Sequence, residues 1–261
     1  MDASMWVAKT GLDAQQTRMT VISNNLANVN TTGYKRDRAV FEDLLYQNVR
    51  QAGGQTGGDQ RAPTGMMLGT GTRVVSTEKI HAQGNLITTN NALDIAVSGE
   101  GFFQILQSDG TIAYTRDGSF KLSPTGQVVT ANGALLQPAL QIPQNAQSVT
   151  IGQDGTVSVK VAGTVDQTTI GTLQLARFVN PAGLESMGQN LYRANAASGA
   201  VQQFRPGLNG TGLLVQGALE ASNVNVVEEM VNMIETQRAY EVNSKAISAA
   251  DQMLKFINQN L

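Results

Sequence analysis

The two ends of the chain constrain its fold most, because each is a long stretch without proline in which a series of positions alternately three and four apart is mostly apolar, with small or polar residues at the others. Near the start these residues are Met5, Leu12, Met19, Ile22, Leu26 and Val29. Near the end they are Val226, Met230, Met233, Tyr240, Ile247 and Leu254. Such an alternation has a period of about 3.5 residues, which keeps a narrow apolar stripe facing a partner helix. We therefore predict helices over residues 2–30 and 222–261.

Helices at opposite ends of one chain can pair as an antiparallel coiled-coil hairpin. Polar residues such as Gln15 and Asp251 interrupt the stripes, and they could either fix the register of the pair or simply be exposed. Two helices cannot cover each other on all sides, so residues such as Trp6 and Phe256 would stay exposed in a monomer. We expect copies of the chain to cover them. The alternative is that the helices pack on the rest of their own chain.

The middle of the chain has a different hydrophobic pattern, with short apolar or alternating stretches separated by turn residues. Strands are predicted over residues 93–97, 102–106, 127–130, 156–161 and 173–178. Asp-Gly or Asn-Gly pairs predict tight hairpins at residues 109–110, 117–118, 132–133 and 154–155. The predicted fold class is α+β, with a helical domain formed by residues 1–45 and 218–261 and an inserted all-β domain at residues 73–217.

Glycine crowds the remaining segment, residues 46–72, which contains a single proline at Pro63. We predict an extended segment here. By itself this composition is typical of a flexible linker. A long segment without regular structure is usually either functional or disordered.

The charge of the chain limits its partners. Only 15% of the residues are charged although 41% are hydrophobic, which fits either a subunit covered by neighbours or an ordinary β-rich domain. With a net charge of −2, the chain lacks the basic footprint of a nucleic-acid-binding protein. The short basic cluster of Lys35, Arg36 and Arg38 is interrupted by Asp37, and we interpret it as a solvated turn.

Residue types that support catalysis or metal binding are scarce. There is no cysteine and His81 is the only histidine, so nucleophile–base pairs and zinc sites have almost no candidates. No catalytic residue, metal, cofactor or small-molecule substrate is expected, and the chain is predicted not to be an enzyme. No run of about 18 apolar residues predicts a membrane helix, and the first residues lack the pattern of a cleavable signal peptide.

Motifs at both ends and in the middle resemble one known family. The first motif contains Asn24, Asn25, Leu26, Ala27, Asn28, Thr32, Gly33 and Tyr34. The last motif contains Ser222, Asn223 and Val224 and continues to Glu241. Residues 99–103 and 114–120 form the middle motifs. Together they resemble the axial proteins of the bacterial flagellar rod and hook. The chain length and the glycine-rich segment are most similar to the distal-rod members.

The resemblance implies a structural subunit that polymerises into a hollow helical tube in the periplasm and transmits torque from the motor to the hook. The terminal helices would line the inner core, the β domain would form the outer layer, and residues 46–72 would wedge between subunits and stiffen the tube. The implied partners are copies of the chain, proximal rod proteins, the hook protein, the ring proteins of peptidoglycan and outer membrane, and the flagellar type III export apparatus. Export would need no cleavable signal peptide.

Two other functions stay open. Proximal rod members share the β domain, and some have a similar length. The first helix could instead lie on a membrane surface through Lys9 and Arg18, although its polar face carries few positive charges. The chain would then be a surface-binding module.

Overall fold

The computed structural model describes residues 3–51, 55–57, 60–61, 63–163 and 166–259. The chain forms two compact units. We call residues 1–26, 37–78 and 225–261 the terminal unit, and residues 27–36 and 79–224 the central unit. These borders differ from the predicted ones in two respects: residues 27–36 and 218–224 group with the central unit, and residues 46–78 group with the helices.

A helix stands at each end of the chain, as predicted: α1 covers Ala3–Ala27 and α2 covers Val226–Gln259. The predicted first helix is too long at its carboxyl end, so Val29 does not belong to the helical stripe. The chain turns at Asn28 instead, where the Thr31 N–H donates to the Asn28 carbonyl at 3.2 Å and the Thr31 hydroxyl donates to the Asn28 side chain at 3.2 Å. Predicted helical residues 2, 260 and 261 lie outside the described residues.

The terminal unit also contains short strands arranged as antiparallel pairs. They are β1 (Asp37–Asp43), β2 (Tyr46–Arg50), β3 (Gln55–Gly57), β4 (Gln60–Arg61), β5 (Met66–Gly69) and β6 (Thr72–Lys79). β1 pairs with β6, β2 with β5 and β3 with β4. The glycine-rich segment therefore contains a two-stranded ribbon in its described part, built from β2 and β5.

The central unit is β-rich. Its strands are β7 (Leu86–Thr88), β8 (Ile95–Ser98), β9 (Phe103–Leu106), β10 (Ile112–Thr115), β11 (Lys121–Leu122), β12 (Val128–Val129), β13 (Leu135–Gln137), β14 (Ala146–Ile151), β15 (Thr156–Val161), β16 (Thr168–Thr172), β17 (Leu175–Arg177), β18 (Glu185–Gly188), β19 (Leu191–Arg193), β20 (Gln202–Phe204), β21 (Leu213–Gln216) and β22 (Ala218–Glu220). A short 3₁₀ helix covers Pro181–Gly183. The largest sheet has the strand order β11-β12-β13-β9-β10-β19-β18, and a smaller one has the order β14-β15-β16. β7 pairs with β22, β8 with β21 and β17 with β20.

Side chains on strand β9 and on the residue just before it enter two different apolar clusters. Phe103 and Ile105 join the main core, where the Phe103 and Phe120 rings meet edge to face at 5.2 Å between centroids. Phe102, just before the strand, joins a second cluster with Tyr114 and Phe178. A sheet covered on both faces explains why this part of the sequence reads as apolar runs more than as alternation.

Three of the four predicted hairpin turns are confirmed: residues 109–110 join β9 to β10, residues 132–133 join β12 to β13, and residues 154–155 join β14 to β15. The prediction at residues 117–118 is wrong, because β10 and β11 are not paired. Gly118 instead allows the backbone of Ile95 to approach closely. A Cβ there would lie 1.7 Å from the Ile95 carbonyl oxygen, and the Gly118 carbonyl accepts a hydrogen bond from the Ile95 N–H at 3.1 Å.

Candidate assembly surfaces

Helix α2 begins at a well-formed cap. The Asn225 side-chain oxygen accepts hydrogen bonds from the N–H groups of Val227 at 3.0 Å and Glu228 at 3.4 Å, which satisfies donors that the helix itself leaves open. Glu228 and Glu229 stand in the first turn, where negative charge complements the helix dipole. The helix therefore begins at Val226, four residues after the predicted start at residue 222.

The burial of α2 is inverted relative to an ordinary surface helix. Its fully buried residues in the described structure are polar, namely Glu229 and Thr236. Many of its apolar residues are exposed instead: Val226, Val227, Met230, Val231, Ile234, Tyr240, Val242, Met253 and Phe256. Val227, for example, keeps 70% of its surface in contact with solvent. A helix that exposes so much apolar surface indicates a contact with another protein.

Side chains of α1 and α2 come together in an antiparallel sense. The Arg18 guanidinium donates to the Asn232 side chain at 3.3 Å and lies 3.9 Å from the Glu235 carboxylate. Further along, a Cβ at Gly11 would lie 3.1 Å from the Asn243 amide nitrogen. Residues later in α1 therefore meet residues earlier in α2.

The structure places the predicted stripe residues differently on the two helices. On α1, Ile22 is buried, and the half-buried members are Met5, Leu12, Met19 and Leu26. On α2, Met233, Ile247 and Leu254 are half-buried, whereas Val226, Met230 and Tyr240 are exposed. Val29, beyond α1, is half-buried in the central unit.

The β2–β5 ribbon is a second exposed apolar surface. Its exposed apolar side chains, with that of the preceding residue, are Leu45, Tyr46, Val49, Met66, Met67 and Leu68. Leu45 is 88% exposed. A two-stranded ribbon is at best marginally stable alone in water, so this ribbon needs a surface to pack on.

The first family-like motif fastens the end of α1. The buried Asn25 side chain forms a reciprocal pair with the Asp37 backbone: its amide donates to the Asp37 carbonyl and its oxygen accepts from the Asp37 N–H, both at 2.9 Å. Asn24 and Ala27 are exposed. Asn25 thus fixes where β1 begins relative to the last turn of α1.

Gly33 sits where no side chain fits. Its φ of +69° is left-handed, and a Cβ would lie 2.6 Å from the Asp117 backbone nitrogen. Its N–H donates to the Glu220 carbonyl at 2.8 Å. The preceding Thr32 hydroxyl donates to the Asp117 carboxylate at 3.2 Å. These contacts place the first motif against the start of the last one.

The last motif adds further contacts to this meeting of the two motifs, which lies inside the central unit and which we call the junction. The Asn223 side-chain oxygen accepts from the Arg36 N–H at 2.7 Å, and its amide donates to the carbonyls of Ile80 at 2.8 Å and Ala82 at 3.0 Å. The Ser222 hydroxyl accepts from the Val224 N–H at 3.3 Å, and Val224 is buried. One amide side chain therefore holds three segments that are far apart in sequence.

A buried ion cluster lies beneath this junction. The Lys35 ammonium is 2.5 Å from one Glu220 carboxylate oxygen and also donates to the Ala82 carbonyl at 2.8 Å. The Arg116 guanidinium is 3.4 Å from the other Glu220 oxygen. Burial lowers the pKa of Lys35 and that of Arg116, and Glu220 opposes both effects by favouring the charged forms.

The solvated-turn interpretation was wrong for Lys35, which has no exposed surface. Arg38 is exposed and pairs with Glu78, as a solvated residue would. Sequence reasoning also missed Glu220 and Arg116. The one signal available was that opposite charges, Lys35 and Glu220, stand next to the two terminal motifs, which are distant in sequence.

Three protein-family models match the chain in order. They are described as the flagella basal body rod protein, over residues 5–35, the flagellar hook protein FlgE/F/G D1 domain, over residues 96–159, and the flagellar basal body rod FlgEFG protein C-terminal, over residues 215–260. The first and last matches contain the two halves of the junction, Gly33 and Lys35 on one side and Glu220 and Asn223 on the other.

Relatives match over nearly their whole length. The flagellar basal-body rod protein FlgG of Buchnera aphidicola subsp. Schizaphis graminum is 58% identical over 99% of this chain and 100% of its own. The protein of the same name from Caulobacter vibrioides is 48% identical over 97% of both chains. That from Bacillus subtilis is 38% identical over 97% of this chain and 96% of its own. The chain therefore belongs to the flagellar basal-body rod protein family, close to its FlgG members.

Proposed function

We propose that the chain is a subunit of the distal flagellar rod that polymerises with copies of itself into a hollow helical drive shaft. The observation that carries this proposal is the inverted burial of α2, which turns Glu229 and Thr236 inward and leaves apolar residues such as Val227 and Met253 in solvent. Each Å² of apolar surface left in water forgoes about 25 cal/mol of stabilisation, so a second molecule that covers this face gains free energy.

The length of α2 supports assembly over packing within one chain. At about 1.5 Å per residue, its 34 residues span about 50 Å. Isolated helices gain most of their stability from tertiary packing of an apolar face, and α2 has little such packing in one chain. Neighbouring copies are the simplest source of the missing contacts.

We propose that α1 and α2 pair as an antiparallel coiled coil and that these pairs form the inner wall of the tube. The contacts of Arg18 with Asn232 and Glu235 support the antiparallel pairing. On this proposal, Ile22 and the half-buried stripe residues hold α1 and α2 together. The exposed Val226, Met230 and Tyr240 contact the next copy of the chain.

The β2–β5 ribbon is proposed to contact a neighbouring copy as well. It lies within residues 46–72, and its exposed Val49 and Met67 offer an apolar face. A ribbon wedged between copies would resist bending, as a drive shaft requires. Interdigitated contacts resist sliding under torque, because each side chain sits in a fixed hole of its partner.

One contact repeated with the same rotation and rise produces an open helical filament, because the two faces that meet are different surfaces of the molecule. The remaining partners follow from this role: proximal rod proteins on one side, the hook protein on the other, ring proteins around the central unit, and the type III export apparatus during secretion. The place of action is the basal body across the periplasm.

We propose no catalytic activity for the chain. His81 is its only histidine and cysteine is absent, so few groups could act as nucleophile or base near neutral pH. No helix in the described ranges is long and apolar enough to cross a membrane.

The decisive experiment places a charge on the exposed face of α2. Val227→Asp and Met253→Asp should leave the free energy of unfolding of the monomer within about 0.5 kcal/mol of the wild type, because both side chains are already exposed. In cells that lack the wild-type chain, both variants should abolish rods and motility, since a buried unpaired charge cannot be accommodated in the interface. Electron microscopy of isolated basal bodies and swimming assays give the readouts.

Val227→Ile and Met253→Leu are the matched controls, because they keep the apolar face and should support normal rods. Wild-type rods in the aspartate variants would contradict the proposal. Sedimentation with liposomes of anionic lipid tests the membrane-surface alternative, and binding that Lys9→Gln abolishes would favour that function.

A further inference from the structure

A small cavity with charged and aromatic walls lies in the central unit beside the buried ion cluster. Its volume is about 90 Å³. The side chains that line it are His81, Glu100, Phe102, Arg116, Arg177 and Phe178. Assembly through the helices or the ribbon makes no use of these residues, so their arrangement needs a separate explanation.

Arg116 brings an unsatisfied charged donor to the cavity. Its side chain is only 4% exposed. Nη2 donates to the Gly99 carbonyl at 2.6 Å and Nε faces Glu220 at 3.4 Å, whereas Nη1 has no hydrogen-bond acceptor in the part of the chain that the structure describes. A buried guanidinium donor without an acceptor is costly, so the site favours an acceptor supplied from outside.

The surrounding charge is positive. Among the residues that the structure describes, Lys35 and Arg116 are both buried against one carboxylate, that of Glu220, so two positive charges face one negative charge. Glu100, at the cavity edge, is largely in solvent, and its carboxylate is 3.0 Å from Arg177 Nε. It therefore does not neutralise the interior charge fully.

His81 completes the wall. Its ring meets those of Phe102 and Tyr192 edge to face, each at 5.5 Å between centroids. Neither ring nitrogen makes a well-formed hydrogen bond within the described residues, although the nearby Pro181 carbonyl slightly favours the protonated ring. Burial, followed by the charges of Lys35 and Arg116, lowers the His81 pKa to about 4. The neutral ring carries one N–H that can donate to an anion.

We propose that this cavity binds a small monovalent anion, of the size of chloride or formate, between Arg116 and His81. The volume suits such a ligand, since it would hold about three waters at ~30 Å³ each. The aromatic walls of Phe102 and Phe178 provide no groups to solvate a second negative charge, and Glu100 repels one. The anion supplies the acceptor that Arg116 lacks and balances the excess positive charge.

The single histidine makes a direct test possible, because the His81 ring signals in a proton–carbon NMR spectrum need no assignment. When sodium gluconate is replaced stepwise by sodium chloride or sodium formate at constant ionic strength, the chemical shifts of these signals should change and then reach a plateau. Gluconate is too large for the cavity and serves as the reference. Sulfate at matched ionic strength should compete poorly. If the chemical shifts of His81 change equally with all the salts, or change linearly without a plateau, the proposal is overturned and only water fills the cavity.

Two variants locate the site. Arg116→Gln removes the unsatisfied charge and should abolish the saturable shift. Since that variant also disturbs the ion cluster and could fail to fold, Glu100→Gln provides an independent test. Removing this partly solvated negative charge should tighten chloride binding roughly two- to fivefold. An unchanged or weaker affinity in Glu100→Gln would overturn the proposal. Rod assembly does not depend on either result, so failure here leaves the proposed function untouched.

Discussion

The two units differ in how much of their apolar surface they enclose. In the central unit, Phe103, Ile105 and Leu175 are fully enclosed, and the buried Glu220 carboxylate lies against the charges of Lys35 and Arg116. In the terminal unit, the apolar Val227 and Leu45 face solvent while Glu229 is buried. The central unit therefore has an enclosed core in a single chain, whereas the terminal unit leaves apolar side chains exposed, as the proposed assembly requires.

The difference also appears in how the units use polar side chains. In the central unit, Asn223 and Glu220 bind segments that are distant in sequence, so each is part of the fold itself. In α2, the Thr236 hydroxyl donates to a carbonyl of its own helix, that of Asn232, at 2.6 Å. Local bonds of that kind do not resist separation of the helix from its surroundings.

The largest contrast is expected in amide hydrogen exchange of the free monomer. Amides of β8, β9 and β10 should exchange only on global unfolding, which costs about 5–15 kcal/mol in typical domains and slows exchange by several orders of magnitude. Amides of residues 5–26 and 226–254 should exchange almost as fast as in an unstructured peptide, since these helices bury little apolar surface in one chain. Exchange followed by mass spectrometry gives the measurement. Strong protection over both helices in the monomer would contradict the difference in packing between the two units.

The next largest effect concerns the buried ion cluster. Glu220→Gln keeps the shape of the side chain but leaves Lys35 and Arg116 without their negative partner. Breaking a buried pair by removing one member typically costs about 3–5 kcal/mol of unfolding free energy. Urea unfolding followed by near-ultraviolet circular dichroism measures the loss.

Glu185→Gln is the matched control for that variant. Glu185 also pairs with an arginine, Arg193, at 2.8 Å, but both side chains are about half exposed. Exposed pairs contribute roughly 0–1 kcal/mol, so this variant should unfold almost like the wild type. Equal losses in the two variants would show that burial of Glu220 does not matter to stability.

The acid sensitivity of the central unit is a smaller effect. Because the His81 pKa falls from 6.5 when unfolded to about 4 when folded, protonation favours the unfolded chain. The stability is fully present above the unfolded pKa and is lost as the pH falls from about 6.5 towards 4. Between pH 7 and pH 5 the loss is about 2 kcal/mol, and carboxylates with ordinary pKa values stay mostly ionised in this window. Urea unfolding at the two pH values should lose most of this difference in His81→Phe, and an unchanged difference would assign it to other groups.

Local signals in the sequence predicted the two helices and three of the hairpin turns, because apolar spacing and turn pairs depend on residues that are neighbours along the chain. Burial of Lys35 could not be predicted, since it depends on Glu220, which is distant along the chain. The role of Gly118 was missed for the same reason, because the atom that excludes a side chain there belongs to Ile95. The apolar spacing of α2 predicted a helix, but spacing alone does not tell which side a single chain covers.

The smallest expected effect tests whether the units unfold independently. Asn225→Ala removes the acceptor for the Val227 and Glu228 N–H groups, which typically costs about 1 kcal/mol of helix stability. Because α2 is marginal in the monomer, that loss should visibly reduce helical circular dichroism at 222 nm. Asn225→Asp, which keeps an acceptor and complements the helix dipole, should retain the signal.

The same Asn225→Ala variant should leave unfolding of the central unit unchanged, because Asn225 belongs to the terminal unit and its two side-chain bonds go to its own helix. The near-ultraviolet transition reports on the central unit through Phe102, Tyr114 and Tyr192, and should keep its midpoint. A parallel shift of both transitions would mean that the helices and the β-rich core unfold as one cooperative body. In that case copies of the chain would not be needed to stabilise α2, and its exposed apolar face would need another explanation.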